Sequence, residues 1–258
     1  MIKLATWNVN SLKVRLPQVL EWLAAHRPDA FCLQETKSED ANFPLAEIAV
    51  AGYRSVFSGQ KTYNGVAILC CGDPREVQAG IPGYDDPQRR VIAATVAGVR
   101  TVCVYIPNGE SVESDKYRYK LDWLARLTAW LEEELARYPR LVLLGDYNIA
   151  PEERDVHDPK LWAGKVLFSE PERAAFRALA GLGLQDSFRL FDQPEKSFSW
   201  WDYRMNGFKR NLGLRIDHIL LSRQLAPGCK SCVIDRTMRA KERPSDHAPV
   251  VAEIEIEP

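Results

Sequence analysis

Residues 141–148 read LVLLGDYN: four consecutive apolar residues run into a glycine, and an acid and an amide follow two positions apart. A short apolar run closed by a turn signal fits a strand buried on both faces. In an extended segment Asp146 and Asn148 point the same way and Tyr147 the opposite way. Taken alone, G-D-x-N serves a turn equally well. The chain opens on the same theme, because the strand-like start at 2–9 ends in TWNVNS (6–11), with Asn8 and Asn10 in the places that the acid and amide hold at 146 and 148. The two segments hint at a duplicated layer.

Working outward, strand-like runs recur at 30–34, 65–69, 91–96, 101–106, 215–221 and 248–256. Helical spacing is clear at 17–25 and at 116–138, where Leu121, Leu124, Leu127, Leu131 and Leu135 recur every three or four residues, and a third helix is expected over 171–179. The strands between 65 and 106 leave no room for intervening helices, so hairpins are expected there. The resulting class is mixed α/β with substantial antiparallel sheet. Segments 72–90, 107–116, 151–165 and 202–213 read as surface loops, and no linker divides the chain, so one domain is expected over 1–258.

The 258 residues are 46% hydrophobic and 27% charged, which excludes a disordered chain, and no apolar run is long enough for a membrane span or a secretory signal. A cytoplasmic protein is expected. Lys+Arg 34 against Asp+Glu 35 leaves a net charge of −1, so global charge neither announces nor excludes a nucleic-acid partner. Of the six cysteines, Cys32, Cys70, Cys71 and Cys103 sit in apolar contexts, and the Cys229-x-x-Cys232 pair lacks a second CxxC to complete a zinc site.

Polar groups at the ends of apolar strands carry the functional signal: Asn8 and Asn10, Gln34-Glu35, Asp146 and Asn148, Asp217 inside LRIDHILL, and Asp246-His247 before the last strand. A carboxylate there costs several kcal/mol to desolvate unless it is paired or metal-bound, so five such places point to one shared site. Glu35 suits a hard divalent cation, Mg²⁺ or Mn²⁺, although a surface or capping carboxylate is the plainer alternative. Asp146 suits orienting or deprotonating a water, and Asn148 suits holding it. Asp217 is placed to fix the tautomer of His247 and favour its charged form. Tyr105 precedes the I-P-N-G turn, where it serves a reacting phosphate or simply the rim of the core, and Asn108, within the turn, suits a phosphate oxygen. His218 reads as a packing residue. Trp200, Trp201, Arg204, Lys209 and Arg210 combine aromatic faces with positive charge, as nucleic-acid surfaces do, while an aromatic pair serves a core equally well. Arg236, Arg239, Lys241 and Arg243 form a second basic stretch, and Lys116, Arg118 and Lys120 a third.

Seven motifs in order, TWNVNS (6–11), LQETK (33–37), YNGVAI (63–68), YIPNG (105–109), GDYNIAP (145–151), LRIDHIL (214–220) and SDHAPV (245–250), make the chain resemble the exonuclease III and abasic-site endonuclease family of DNase I-like phosphodiesterases. That resemblance implies a four-layer α/β sandwich, two packed mixed sheets flanked by helices. It implies a metal-dependent DNA repair enzyme acting on duplex DNA, whose in-line attack leaves a 3′-hydroxyl and a 5′-phosphate; a monomer is expected because recognition of an exposed DNA backbone needs no more. By resemblance Glu35 is the principal metal ligand, with Asn8, Asn10 and Asp246 near the metal. Asp146 and Asn148 handle the water, Tyr105 and Asn108 contact phosphate, and Asp217 orients His247. Trp200, Leu214 and Ile216 look like the apolar wall that receives an abasic sugar. Many members that cleave abasic sites carry a small residue where this chain has Leu167, so 3′-end trimming or 3′-phosphate removal is expected over cutting 5′ to abasic sites. Related lipid phosphodiesterases need membrane-binding loops not seen here, and a non-catalytic binding member would be expected to lose acidic and histidine positions that this chain keeps.

Overall fold

The computed structural model describes residues 1–256, so the last two residues of the expected 1–258 domain lie outside the described residues. In chain order the elements are β1 (Ile2–Asn8), α1 (Leu12–His26), β2 (Ala30–Gln34), α2 (Leu45–Val50), β3 (Arg54–Ser58), β4 (Val66–Cys70) and β5 (Arg75–Ala79). There follow β6 (Val91–Val96), β7 (Val99–Tyr105), α3 (Asp115–Arg137), β8 (Leu141–Asp146), α4 (Pro159–Trp162) and α5 (Glu170–Gly181). The chain closes with β9 (Gln185–Asp186), β10 (Trp200–Trp201), β11 (Gly213–Leu214), β12 (Asp217–Leu221), β13 (Cys229–Ile234) and β14 (Val250–Ile254).

Two six-stranded sheets carry the fold, in the orders β13-β14-β1-β2-β4-β3 and β9-β12-β8-β7-β6-β5. Both repeat one pairing pattern: two antiparallel steps, one parallel step (β1–β2, β8–β7), then two antiparallel steps. The duplication hinted at by TWNVNS and LLGDYN is therefore a repeat of whole sheets, with β1 and β8 in equivalent central places. The inner faces meet in a core that includes Leu4, Cys32, Ile68, Ile92, Cys103, Leu144, Ile219 and Ala252. α1 and α2 cover the outer face of the first sheet through Val19, Trp22, Leu23 and Ile48, packed on Phe31 and Leu69. α3 and α5 cover the second through Trp123, Leu127, Leu131, Phe176 and Leu179. This helix-sheet-sheet-helix stack is the expected four-layer sandwich.

The sequence reading needs four corrections. The strands β3, β5, β9 and β13 were not expected, and all four are sheet edges; REVQA and CKSCVI carry polar residues because an edge strand is half solvated. The 65–106 stretch is not one hairpin series: β6 and β7 are joined by a tight Ala97-Gly98 turn, but β4 belongs to the other sheet. The first helix starts at Leu12, with Pro17 inside it rather than near its start. The backbone N–H groups of Ser11 and Leu12 are taken by the carbonyls of Glu35 and Thr36 (2.8 and 3.0 Å), which supplies the cap that the local sequence lacks. The run 215–221 is strand only from Asp217, where β12 joins the second sheet, while β11, just before the run, pairs with β10 in a separate ribbon.

The parallel pairs bring the C-terminal ends of β1, β2 and β8 to one rim, with the start of β12 and the segment before β14 beside them. At Gly145 the chain passes so close to β7 that a Cβ would lie 1.9 Å from the Val104 carbonyl oxygen, so only glycine lets β8 deliver Asp146 to that rim.

Candidate active site

Asp146 and Asp217 are register partners across β8 and β12, and both are buried. His247 lies between them. Its Nδ1 donates to Asp217 (2.9 Å to Oδ2), and its Nε2 is 3.7 Å from Asp146 Oδ2. Burial alone would lower the imidazole pKa, but the carboxylates of Asp217 and Asp146 overcome it and push it up to about 10. Burial raises Asp146 to about 7, against the lowering effect of His247 and of bonds from Asn8 and Asn148.

Asn148, in a left-handed conformation (φ 49°), donates its N–H to Asp146 Oδ1 (2.9 Å), and its Oδ1 accepts from Asn108 Nδ2 (3.0 Å). Tyr147 turns into the helix-side core, as alternation required. Asn8 Nδ2 bridges Glu35 Oε1 (2.9 Å) and Asp146 Oδ2 (2.8 Å), while its Oδ1 accepts from Asn10 N–H. In this arrangement Asn8 ties the two carboxylates together and turns its oxygen away from them. Asn10 Nδ2 donates to Asp246 Oδ1, and Trp200 Nε1 to Asp246 Oδ2, both at 3.0 Å. Burial opposes the charge on Asp246, yet His247, Trp200 and Asn10 hold its carboxyl below the ordinary range. Burial raises the Tyr105 phenol well above its ordinary value, and the Glu35 and Asp146 charges raise it further, so the ring keeps its proton.

Several residues here carried no signal that singled them out. Lys37 Nζ bonds Glu35 Oε2 (2.8 Å) and Asn10 Oδ1 (2.6 Å); its place two residues after Glu35 was the only clue. Ser199 Oγ donates to Asp217 Oδ2 (2.6 Å) and accepts the N–H groups of Ile216 and Asp217. Arg15 holds the Asn10 and Pro244 carbonyls together. His218 packs, as expected: its Nε2 donates to the Ile149 carbonyl and its Nδ1 accepts from Arg215.

The surface residues divide. Arg204, Lys209 and Arg210 are exposed, with Arg204 paired to Asp202, and Lys116 is exposed and paired to Glu110. Trp201 is corrected to a core residue: it is fully buried against Phe198 and Ala248, with Nε1 on Asn211. Lys120 is likewise buried and ion-paired with Glu172, so it leaves the third basic patch. Arg236 and Arg239 stack over rings of the 201–208 segment and brace it. Leu167, Leu214 and Ile216 do come together, in a buried cluster with Val156, Phe168 and the partly buried Trp200.

Four carboxylates, Glu35, Asp146, Asp217 and Asp246, are in contact with one another's partners but, among the described residues, with only two cationic side chains, Lys37 and the protonated His247. An oxygen-rich donor set with this excess of negative charge fits a hard divalent cation. Asp146, Asp217 and His247 offer ligand-type atoms within 4.8 Å of one another. Both imidazole nitrogens, however, point at carboxylates, so the oxygen side around Glu35 and Asp246 is the better seat.

The description Endonuclease/Exonuclease/phosphatase family matches residues 5–247, and exodeoxyribonuclease III of Haemophilus influenzae is 39% identical over 98% of this chain and 99% of its own. The chain belongs to the exonuclease III and AP-endonuclease branch of that family. Among solved structures, this family member is similar to the 3′ phosphatase NExo from Neisseria bound to product DNA hairpin, at 50% identity and TM-score 0.97 over 99% of this chain and 100% of that one. It is also similar to an AP endonuclease from Archaeoglobus fulgidus, at 40% identity and TM-score 0.95, with 99% and 100% covered. No helix among the described residues is long and apolar enough to cross a membrane.

Proposed function

We propose that the protein is a divalent-metal-dependent DNA repair phosphodiesterase of exonuclease III type, a 3′-5′ exonuclease that also clears 3′-phosphates and other 3′ blocks from duplex DNA. The observation that carries this reading is the line Asp217–His247–Asp146, closed on one side by Asn148 and on the other by Asn8 and Glu35. Asp146, its oxygens fixed by Asn148 N–H and Asn8 Nδ2, accepts the proton of the attacking water, and its pKa near neutrality suits that task. Asn148 and Asn108 hold the water and a phosphate oxygen. His247, kept charged by Asp217, stabilises the phosphoryl oxygens as negative charge grows. Tyr105, kept protonated, donates to the scissile phosphate. A divalent cation, Mg²⁺ or Mn²⁺, held by Glu35 and Asp246 with Asn10 nearby, would neutralise charge on the leaving oxygen.

The preference for 3′ ends rests on Leu167. It fills the cluster with Leu214, Ile216 and Trp200 and is only 6% exposed, which supports a wall closed against a flipped abasic sugar. Both activities use the same phosphodiester chemistry, so the wall decides between them. The relatives named 3′ phosphatase and AP endonuclease bracket the choice. A cytoplasmic monomer is part of the proposal, and six free cysteines suit a reducing compartment.

The test uses two end-labelled duplexes with Mg²⁺: one with an internal abasic analogue and blocked ends, the other intact with a recessed 3′ end. Shortening of the recessed strand alone supports the proposal, and Leu167→Gly should then gain internal cleavage relative to trimming. Efficient internal cleavage by the parent overturns the role given to Leu167, and no metal-dependent cleavage of either duplex overturns the function.

A further inference from the structure

Behind the site, Lys120 and Glu172 form an ion pair whose side chains are both 0% exposed. Every hydrogen-bonding position on the pair is used. The ammonium group donates to the Asn148 carbonyl (2.7 Å), the Asn108 carbonyl (3.0 Å) and Glu172 Oε1. Glu172 Oε1 also accepts the Leu167 N–H (3.0 Å), and Oε2 accepts both the N–H (3.0 Å) and the hydroxyl (2.5 Å) of Ser169. Three ammonium protons and four carboxylate acceptor positions are thus matched to seven contacts with the mutual bond counted from each side. The pair joins α3 to α5, yet most of its bonds go to loops.

Those loops carry the two features on which the proposed function turns. On one side stand Asn108 and Asn148, the water- and phosphate-holding amides, which are bonded to each other. On the other stands Leu167, which a branched side chain at φ 76° makes costly to hold. Its N–H is fixed by Glu172, and its carbonyl accepts from Ala150, two residues beyond Asn148. Apolar side chains of similar volume would hold α3 against α5 as well as a buried ion pair does or better, so packing alone does not account for it.

We propose that Lys120 and Glu172 are positioning residues: the pair sets the Asn148 and Asn108 amides for the attacking water and locks the Leu167 turn that shapes the pocket, so that one buried bond network couples turnover to substrate choice. The inference rests on the phosphodiesterase reading above. Neither residue touches substrate, and both act through the backbone of the loops they hold.

The test compares the parent, the neutral pair Lys120→Met/Glu172→Gln, and Glu172→Asp, which keeps both charges but pulls the carboxylate back by one methylene. Thermal melts report whether each is folded. For the folded variants we expect kcat on the recessed duplex to fall by about 10- to 100-fold, as for a small misplacement of a positioned group, with KM and duplex Kd within about twofold. In an Asn148→Ala background the same changes should cost kcat less than about twofold, because the amide through which they act is gone. The ratio of internal abasic cleavage to trimming should rise several-fold, whereas Asn148→Ala alone should leave it level. Unchanged kcat in a folded variant, or losses that multiply with Asn148→Ala, overturns the inference. If the neutral pair does not fold, Glu172→Asp decides by the same criteria. A parent that cleaves neither duplex overturns the function and this inference together; an active parent matched by its variants overturns the inference alone.

Discussion

Asp146 and Asp217 face each other directly across two hydrogen-bonded strands, a placement in which two buried carboxylates repel unless something positive stands between them. The His247 imidazole is that group, and the arrangement makes its charge a property of the fold rather than of the solution. Asp217→Asn should therefore lower the imidazole pKa well below 10 and reduce kcat by about 10²-fold or more while leaving DNA binding close to normal. Histidine NMR titration of the metal-free protein and steady-state kinetics check the two halves.

Asp146→Ala should cost about 10³-fold in kcat with little change in duplex Kd, because the water's proton moves only in the transition state. Single-turnover cleavage and binding measured on the same labelled duplex separate the effects. Normal metal-dependent turnover would remove Asp146 from its assigned role.

Chelation should abolish cleavage and leave the fold intact, since the inner core between the sheets makes no use of the site's carboxylates. It should also weaken duplex binding, because the surplus negative charge around Glu35 and Asp246 then faces the phosphates. Restoring Mg²⁺ should recover both, as read by cleavage and by fluorescence anisotropy.

Lys209 and Arg210 are exposed beside the aromatic ribbon. Lys209→Ala should weaken binding without changing kcat, and should reduce the slope of log K against log salt by about 0.9 if one phosphate contact is lost. Binding isotherms at several salt concentrations provide the test.

His218 gives a pH signature separate from catalysis. Burial and the Arg215 charge depress its pKa to about 4, because Nδ1 must accept from a guanidinium. The unfolded chain binds the proton from about pH 6.5 downward, so this stabilisation is complete above that value. It declines as pH falls towards 4, by about 3 kcal/mol in total. Urea unfolding of the parent and of His218→Gln at pH 7.5 and 5.0 should show the smaller pH loss in the variant.

Much of this site was legible in the sequence because strand ends are legible. An apolar run that stops at Asp146, or continues past Asp217, announces both its position and its cost. The two-residue alternation correctly separated Asp146 and Asn148 from Tyr147. The edge strands were not legible, since half their surface is wet and their pattern resembles loop. Trp201 and Lys120 were misplaced for a related reason: local composition shows what a side chain is made of, but its burial depends on Phe198, Ala248 and Glu172, which are remote or uninformative in sequence. Ser199 escaped notice because one hydroxyl in a polar-aromatic segment has no pattern to break.

The rim that carries the site is a seam. Asn8 ends one strand of the first sheet and Glu35 follows the next, Asp146 and Asp217 belong to the other sheet, and the bond from Asn8 to Asp146 crosses the join. Neither half of the duplicated architecture owns a working set of groups, so their alignment is a measurement made by the side chains packed between the layers. Slippage of one layer by a single residue would not damage the site by degrees; it would leave two unrelated collections of polar residues, each facing a gap.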